Sequence, residues 1–395
     1  MKILQVMPQY PFPMVDGGKV GLGNIALEYA RQGNTVHVLC YATAQVQRCD
    51  PKPLTIHAVD HSSRNTPLRI LLSVFRRRSL YLWKHDTRAM HEAIDRVIRE
   101  EGIEVLHCDH TCMAPLVAAA AKRHGLQWGY RLHNVEWMIW QRYSERFAWW
   151  HPARWYLTSQ AEKVRREEAG VLQEADVVFA ITAIDRDRAL QMAPAASIIV
   201  CPAGVIPEDW QRRRTPNTPA EVIIASNYAW VHNADGLRWF LDHVWPQVRQ
   251  QTSASFHVAG MNVPTWIEHY AAQGVVNSGF VSDLAERYRT ASISIAPLFV
   301  GSGMRLKIIE AMAASLPVVS TSVGAEGIDA GESDGLFRCD DAGTMASTIA
   351  RLAQDAELCS SLGTAAKDSV LRRYTWAASV GQMSAQLKRF CGTTE

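Results

Sequence analysis

The stretch Pro297-Leu-Phe-Val-Gly-Ser-Gly-Met-Arg-Leu-Lys-Ile-Ile-Glu-Ala-Met312 decides the fold of this chain. The apolar residues 293–297 predict a short buried strand, and the glycines at 301 and 303 predict a turn. Residues 304–314 predict a helix that Pro317 ends, and a further strand follows. A strand, a glycine turn and a helix in this order are typical of an α/β domain with a parallel sheet.

The start of this helix has the features of an anion-binding site. The first N–H groups of a helix have no partner within the helix, and the helix dipole adds positive potential. Lys307 and Glu310 lie three residues apart and share one face, and Arg305 falls in the first turn. These features fit a diphosphate bound by the two cations, with Glu310 accepting from ribose hydroxyls. The alternative is a surface helix with a Lys–Glu pair.

Length and composition favour a two-domain protein. A chain of 395 residues that is 48% hydrophobic is too long for one core and fits two domains of about 200 residues. With 20% charged residues and a net charge of +2, we expect neither disorder nor a general nucleic-acid binder. The N-terminus lacks the apolar length of a signal peptide, and no run predicts a membrane span. We therefore expect a cytoplasmic protein.

Strand and helix signals alternate along the chain, which predicts parallel sheets covered by helices. A Pro/Gly segment at 202–207 interrupts the alternation, so we place a domain boundary near residue 203. An ordinary NAD-binding domain is excluded, because the loop 9–18 is too long and its glycines do not follow the dinucleotide pattern. The eight cysteines include no pair at CxxC spacing, and we expect them to be reduced and buried.

Several short motifs occur in a fixed order over nearly the whole chain. They are Gly17-Gly18, His133-Asn-Val-Glu136, Glu174-Ala-Asp-Val-Val178, Cys201-Pro-Ala-Gly-Val205, Asn233 with Asp235-Gly236, Gly279-Phe-Val-Ser-Asp283, the quoted helix motif and Gly324-Ala-Glu-Gly-Ile328. In this order the chain resembles the retaining glycosyltransferases of family 4, which have the GT-B fold. The bacterial branch with GSGxRLKIxEAMAxxxPVVST is the most similar.

The resemblance implies an α/β protein of two Rossmann-like domains whose parallel sheets face each other across a cleft. Residues 1–203 would bind the acceptor and residues 204–372 a nucleoside diphosphate sugar. Residues 373–395 would form a last helix that crosses back to the first domain. The reaction would be sugar transfer to a glycan or lipid-linked acceptor, without a cofactor. Cell-surface polysaccharide or glycoconjugate assembly would be the setting.

The resemblance also assigns roles to residues. Arg305 and Lys307 would bind the diphosphate and act in catalysis, Glu310 the ribose, and His133 would lie near the transferred sugar. The other donor-binding positions are Gly17, Gly18, Phe280, Val281, Gly303 and Met304.

Two positions depart from the family pattern. Ser302 replaces a second glutamate, so contacts to sugar hydroxyls would come from the backbone at 303–305 or from elsewhere. Ser226 replaces a glycine, which would narrow the approach of the phosphate.

The expected mechanism uses no metal, because the cations and the helix start would stabilise the leaving diphosphate. Asp185-Arg-Asp187 has the spacing of the DxD metal motif of other sugar-transfer enzymes, but Thr182 and Asp185 predict a helix cap instead. The departing phosphate oxygen would accept the acceptor's proton, so no protein base is required. His133 either positions the sugar or is a structural hydrogen-bonding residue, and Glu136 is a weaker candidate.

Residues 64–88 combine seven cations and a single acid, Asp86, with many apolar side chains. The segment predicts either a peripheral contact with an anionic membrane, where a lipid-linked acceptor would be found, or a solvated basic helix that packs its apolar side on the domain. Six tryptophans between 128 and 155 either line a sugar site or fill the core. Two other functions stay open: a nucleotide-sugar epimerase with the same fold and a non-catalytic sugar-binding protein.

Overall fold

The computed structural model describes residues 1–14, 17–43, 46, 48–211, 214–301 and 303–391. It divides into two compact units. Unit 1 contains Met1–Pro202 and the C-terminal residues from Ser379, and unit 2 contains Ala203–Ala378. Each unit is built on one parallel sheet covered by helices, which confirms the two Rossmann-like domains.

Unit 1 has a seven-stranded parallel sheet in the order β3-β2-β1-β4-β5-β6-β7. Its strands are β1 (Lys2–Met7), β2 (Thr35–Tyr41), β3 (Thr55–Val59), β4 (Val105–Asp109), β5 (Trp128–Leu132), β6 (Val177–Ala180) and β7 (Ile198–Val200). The central strands β1 and β4 are buried almost throughout, because helices cover both faces of the sheet. The helices are α1 (Gly17–Arg31), α2 (Pro67–Phe75), α3 (Leu80–Trp83), α4 (Arg88–Glu101), α5 (Ala114–His124), α6 (Glu136–Ser144), α7 (Pro152–Glu174) and α8 (Ala183–Met192).

Unit 2 has a six-stranded parallel sheet in the order β10-β9-β8-β11-β12-β13. Its strands are β8 (Glu221–Asn227), β9 (Ser255–Met261), β10 (Val275–Gly279), β11 (Ile293–Ala296), β12 (Val318–Ser320) and β13 (Leu336–Arg338). Its helices are α9 (Val231–Trp239), α10 (Trp245–Gln251), α11 (Leu284–Thr290), α12 (Leu306–Ala313), α13 (Ala342–Gln354) and α14 (Ala356–Arg373). Alternate side chains of β8 enter apolar clusters on opposite faces of the sheet: Val222 and Ile224 on one face, Ile223 on the other.

The last helix is α15 (Trp376–Cys391). The sequence predicts a helix from residue 373, but Arg373 is the last residue of α14. From Ser379 onward α15 belongs to unit 1, where Ser384 accepts a hydrogen bond from the Asn34 side chain at 3.3 Å. None of the helices in the described ranges has the length and apolar character needed to traverse a bilayer.

The strand order reverses at corresponding places in the two sheets. In unit 1 the chain builds outward from β1 on one side and then starts again with β4 on the other, and in unit 2 it does the same with β8 and β11. At such a reversal the loops that follow the two strands diverge and leave a crevice at the carboxyl edge, where α/β proteins bind ligands. The carboxyl ends of β1 and β4, and of β8 and β11, are therefore the first places to look for a site.

Candidate functional site

In unit 2 the side chain of Lys307 lies at the carboxyl end of β8. Its Nζ donates to Ser226 Oγ at 2.6 Å and to Asn233 Oδ1 at 3.0 Å. The amide of Asn233, in α9, donates in turn to the carbonyl of Asn227 at 2.8 Å, which fixes the oxygen toward the lysine. Two neutral oxygens thus hold the ammonium group of Lys307, the group that the sequence predicts to bind a diphosphate.

Lys307 and its helix neighbour Glu310 have shifted pKa values. Loss of hydration and, after it, the nearby positive charge of Arg305 lower the pKa of Lys307 to about 7, against the opposing effect of Glu310. Loss of hydration also raises the pKa of Glu310 to about 7. Both groups therefore titrate near neutral pH, which is typical of functional sites.

The helix predicted over residues 304–314 spans only Leu306–Ala313, so Arg305 lies at the N-cap and not in the first turn. The reason is the backbone before it, because Gly303 has a φ of +78° and Arg305 is extended. Gly301 has a φ of +133°, and a Cβ there would lie 1.9 Å from Arg305 Nη2. Glycine at 301 therefore leaves room for the guanidinium group. Ser302 lies outside the described residues.

The other donor positions of unit 2 also follow strands of this sheet. Phe280 comes directly after β10 and is 67% exposed, so an aromatic face is available to a flat ligand at the carboxyl edge. Val281 and Met304 pack against the apolar cluster under α12. Ser226, which the sequence predicts to narrow the approach of the phosphate, accepts a hydrogen bond from Lys307. The pairing of Asn233 with Lys307 was not predicted from the sequence.

In unit 1 the equivalent edge carries a buried carboxylate. Asp109, the last residue of β4, accepts from Gln5 Nε2 at 2.6 Å and contacts His133 Nε2 at 3.0 Å. His107 Nε2 lies 3.6 Å from the same carboxylate, and Tyr29 Oη lies 3.0 Å from His107 Nδ1. His133 is thus the outermost member of a chain of polar side chains that begins in the core.

Burial alone would raise the pKa of Asp109, but His107 and His133 outweigh it, and the pKa falls below its usual value. Burial lowers the pKa of His133, although Asp109 opposes the shift. At neutral pH Asp109 is therefore charged and His133 is neutral. His110 stacks on His133 with ring centroids 4.0 Å apart, and its φ of +68° is rare for a residue other than glycine.

Glu136, the weaker candidate, begins α6, and loss of hydration raises its pKa to about 7. A second carboxyl group that the sequence analysis missed is fully buried beside it. Glu168 accepts from the backbone N–H groups of Glu136 at 3.0 Å and of Trp137 at 3.3 Å, so it caps the start of α6. Because Glu168 comes from α7, no local pattern could reveal it.

Gly17 and Gly18 are the first two residues of α1, and both are exposed. Close by, a cavity of about 590 Å³ lies at the carboxyl edge of β1, β2 and β3. Its lining includes Tyr10, Lys19, Asp60, His61 and Arg64. A cavity of this size, lined by hydroxyl, charged and imidazole groups, can hold one or two sugar rings.

One group in the described part of the chain could accept a metal ion. His37, His57 and Glu101 offer ligand atoms within 4.8 Å of one another, but they lie toward the amino ends of the strands of unit 1. Asp185 is not part of such a group. Its N–H donates to Thr182 Oγ1 at 3.0 Å, which confirms the predicted helix cap.

Comparison with known proteins identifies two domains. Residues 16–204 match the model of the glycosyl transferase 4-like domain, and residues 219–355 match that of glycosyl transferases group 1. An uncharacterized 44.6 kDa protein of the cps region of Klebsiella pneumoniae is 29% identical over 117 residues. That match covers 27% of this chain and 30% of the Klebsiella protein.

Two solved structures share the fold over almost their whole length. Sucrose-phosphate synthase of Thermosynechococcus elongatus has a TM-score of 0.74 at 17% identity, covering 98% of both chains. HepE of Anabaena, solved in complex with UDP, has a TM-score of 0.68 at 14% identity, covering 98% of this chain and 100% of its own. The same Anabaena protein has also been solved with UDP-glucose.

Proposed function

Because this chain is a glycosyltransferase with the GT-B fold, we propose that it transfers a sugar from a nucleoside diphosphate sugar to a glycan or lipid-linked acceptor. The transfer retains the configuration of the sugar and needs no metal ion. Unit 2 binds the donor and unit 1 binds the acceptor. We place the reaction in the assembly of cell-surface polysaccharides or glycoconjugates, in line with the relative from the cps region.

The observation that carries this proposal is the position of Lys307 in the first turn of α12. Three sources of positive potential converge there: the ammonium group, the guanidinium group of Arg305 and the free N–H groups of the helix. Neutral Ser226 and Asn233 hold the lysine. A diphosphate would supply the missing negative charge and raise the pKa of Lys307 again, so binding and protonation reinforce each other.

The same arrangement suits the chemical step. As the bond between the sugar and the nucleotide breaks, negative charge grows on the departing phosphate oxygen, and preorganised cations stabilise it at that moment. With retention, the acceptor hydroxyl attacks from the face that the nucleotide leaves. That phosphate oxygen then takes the proton of the hydroxyl, so the proton balance requires no protein base.

Glu310 and Phe280 complete the donor site in this proposal. Glu310 lies one turn beyond Lys307, where its carboxylate would accept from the ribose hydroxyls. The exposed ring of Phe280, with Val281 beside it, would contact the base. Gly303 and Met304 would bring backbone groups to the sugar and phosphate, and Gly17 and Gly18 at the start of α1 would offer N–H groups from unit 1.

His133 would bind a hydroxyl of the transferred sugar. A charged Asp109 next to Nε2 favours the neutral tautomer that carries its proton on that nitrogen. Nδ1 is then a hydrogen-bond acceptor, so His133 would accept from a sugar hydroxyl. Asp109 acts as a positioning residue that fixes the tautomer and the ring.

Thermal denaturation with UDP, GDP, dTDP and ADP sugars tests the donor site. One class of nucleotide should raise the melting temperature of the wild type and have no effect on Lys307→Met. Lys367→Met is the matched control, because Lys367 is a lysine of unit 2 whose Nζ donates to a backbone carbonyl, that of Trp210, at 2.7 Å. Stabilisation that persists in Lys307→Met would contradict the proposed site.

The donor that stabilises the protein then serves to test the reaction. Slow hydrolysis should release a sugar with the anomeric configuration of the donor, which proton NMR detects directly. Inversion of that configuration would exclude a retaining transferase, and interconversion at C2 of the sugar would identify an epimerase. Turnover that is unchanged by EDTA is expected for a metal-independent enzyme.

A further inference from the structure

Helix α2 presents its apolar side to the outside of unit 1. Leu68, Leu71, Leu72 and Phe75 have the spacing i, i+3, i+4 and i+7, so they form one stripe along the helix. Their exposed fractions are 65%, 59%, 41% and 83%. In a globular domain such a stripe normally faces the core, and here it faces away from it.

The opposite side of α2 attaches the helix to the unit. Ser73, the one buried residue of α2, lies 2.9 Å from Tyr156 Oη. Lys163 donates its Nζ to the carbonyls of Ser73 at 2.8 Å and Val74 at 3.4 Å, so it caps the end of the helix. Both partners belong to α7. These polar contacts hold α2 in the orientation that exposes the stripe. The alternative, in which the segment packs its apolar side on the domain, holds for Leu80 and Leu82 of α3, which are buried, but not for α2.

A second set of exposed apolar side chains lies at the start of α7, the helix that anchors α2. Trp149 and Trp150 precede α7 and Trp155 lies in its first turn, with exposed fractions of 74%, 65% and 67%. Trp155 Nε1 donates to the carbonyl of Trp149 at 3.1 Å, which ties the group together. Tryptophan combines an apolar ring with an N–H donor, and it is enriched where proteins meet the interface of a membrane.

The charges around this stripe are almost all positive. Residues 64–88 contain seven cations and one acid, Asp86, which pairs with Arg78. Arg64, Arg76 and Arg77 are exposed, and within the described ranges neither Arg64 nor Arg77 forms an ion pair. An exposed apolar stripe bordered by unpaired arginines is complementary to a surface that offers both hydrocarbon and negative charge.

We propose that α2 and the three tryptophans, Trp149, Trp150 and Trp155, form a surface that binds an anionic phospholipid bilayer. The helix lies in the plane of the interface with Leu68 and Phe75 inserted among the acyl chains. The arginines contact lipid phosphates, and each contributes about fivefold in affinity. Arg64 also lines the cavity at the carboxyl edge of the sheet, so the bound membrane would lie next to the place where a lipid-linked acceptor has to enter.

Sedimentation of the full chain with vesicles tests this surface. The wild type should bind vesicles of phosphatidylcholine with 30% phosphatidylglycerol, and at least tenfold more weakly those of phosphatidylcholine alone. Leu71→Ser/Phe75→Ser should lose binding by more than tenfold. Ile184→Ser/Val276→Ser is the matched control, because it removes two exposed apolar side chains elsewhere, 38% and 42% exposed, and it should bind like the wild type.

Two further measurements examine the contribution of the arginines and test whether a second copy of the chain covers the stripe. Arg64→Gln/Arg77→Gln should retain part of the binding but lose much of its dependence on salt. Equal binding of the wild type and Leu71→Ser/Phe75→Ser would overturn the proposal. So would light scattering that shows a dimer for the wild type and a monomer for that variant, since a second copy would then cover the stripe. Because no nucleotide sugar is used, a negative result here leaves the proposed reaction untouched.

Discussion

The two units share one topology, but their carboxyl edges carry opposite charge. In unit 2 the reversal between β8 and β11 brings Lys307 and Arg305 to the edge, whereas in unit 1 the reversal between β1 and β4 brings the carboxylate of Asp109. The scaffold therefore determines where a ligand binds, and the side chains after each strand determine which ligand. A diphosphate suits the two cations at the edge of unit 2, whereas the carboxylate of Asp109 would repel it at the edge of unit 1.

The two edges also differ in how their charges respond to burial. Asp109 is deeply buried and keeps its charge, because His107 and His133 stabilise the carboxylate. Loss of hydration and the second cation, Arg305, lower the pKa of Lys307 to about 7, and the hydrogen-bond acceptors that the described residues offer it, Ser226 and Asn233, are neutral. The edge of unit 1 thus contains both the charge and its partners, whereas the charge at the proposed donor site of unit 2 would be completed by an anion.

The substitution with the largest expected effect is Lys307→Met. It removes the cation that is proposed to stabilise the leaving diphosphate and keeps a side chain of similar length. We expect turnover to fall by about 10²- to 10³-fold, the loss typical of one electrostatic group at a site of developing charge. Steady-state kinetics with the donor identified by thermal shift measures it, and Lys367→Met should keep wild-type turnover. A variant with more than a tenth of the wild-type rate would show that Lys307 does not act on the leaving group.

Asp109→Asn tests the other edge. The amide no longer fixes the proton of His133 on Nε2, so we expect turnover to fall by about 10²-fold while the thermal shift with nucleotide is unchanged. Asp95→Asn is the matched control, because Asp95 contacts His124 at 2.8 Å in the same unit but away from the edge. A parallel loss of nucleotide binding in Asp109→Asn would mean that the two edges do not have separate roles.

The proposed donor site can be inferred from the sequence because its parts are local. Lys307 and Glu310 are one helical turn apart, and the glycine turn directly precedes them, so a single motif contains the essential chemistry. The partners of that motif were not predictable. Asn233 lies 74 residues from Lys307, and Gln5 lies 104 residues from Asp109. The adjacency of β8 with β11 and of β1 with β4 brings these pairs together.

Residues 64–88 show a different limit of sequence reasoning. The spacing of the apolar residues predicts an amphipathic helix, and α2 is one. Periodicity identifies a face but not the direction in which that face points. The direction depends on Ser73 and on Lys163, which is 90 residues away. The positions of the tryptophans divide in the same way, because Trp128 is buried whereas Trp155 is exposed.

A pH titration distinguishes the charge of Asp109, which is constant near neutral pH, from that of Lys307, which is lost as the pH rises. The folded-state pKa of Lys307 is about 7, below its value of 10.5 in the unfolded chain, so the lysine loses its charge as pH rises through 7. Nucleotide affinity should therefore fall by up to about tenfold per pH unit above 7. Calorimetry from pH 6 to pH 9 measures this fall. Glu310→Gln should retain a fall in affinity as pH rises, and Lys307→Met should bind weakly and lose that fall.

The smallest expected effect is that of Gly301→Ala. Comparison with Gly33→Ala separates the cost of backbone strain from weaker nucleotide binding. Gly301 and Gly33 both have positive φ, but a Cβ at Gly301 would displace the guanidinium of Arg305, whereas a Cβ at Gly33 meets open space. We expect Gly301→Ala and Gly33→Ala each to lower the free energy of unfolding by about 1 kcal/mol, the cost of a left-handed backbone for alanine. Only Gly301→Ala should also weaken nucleotide binding, by about fivefold, because one charge-assisted contact is shifted and not removed. Denaturant unfolding and calorimetry measure the two quantities separately, and equal nucleotide affinity in both variants would place Arg305 outside the diphosphate site.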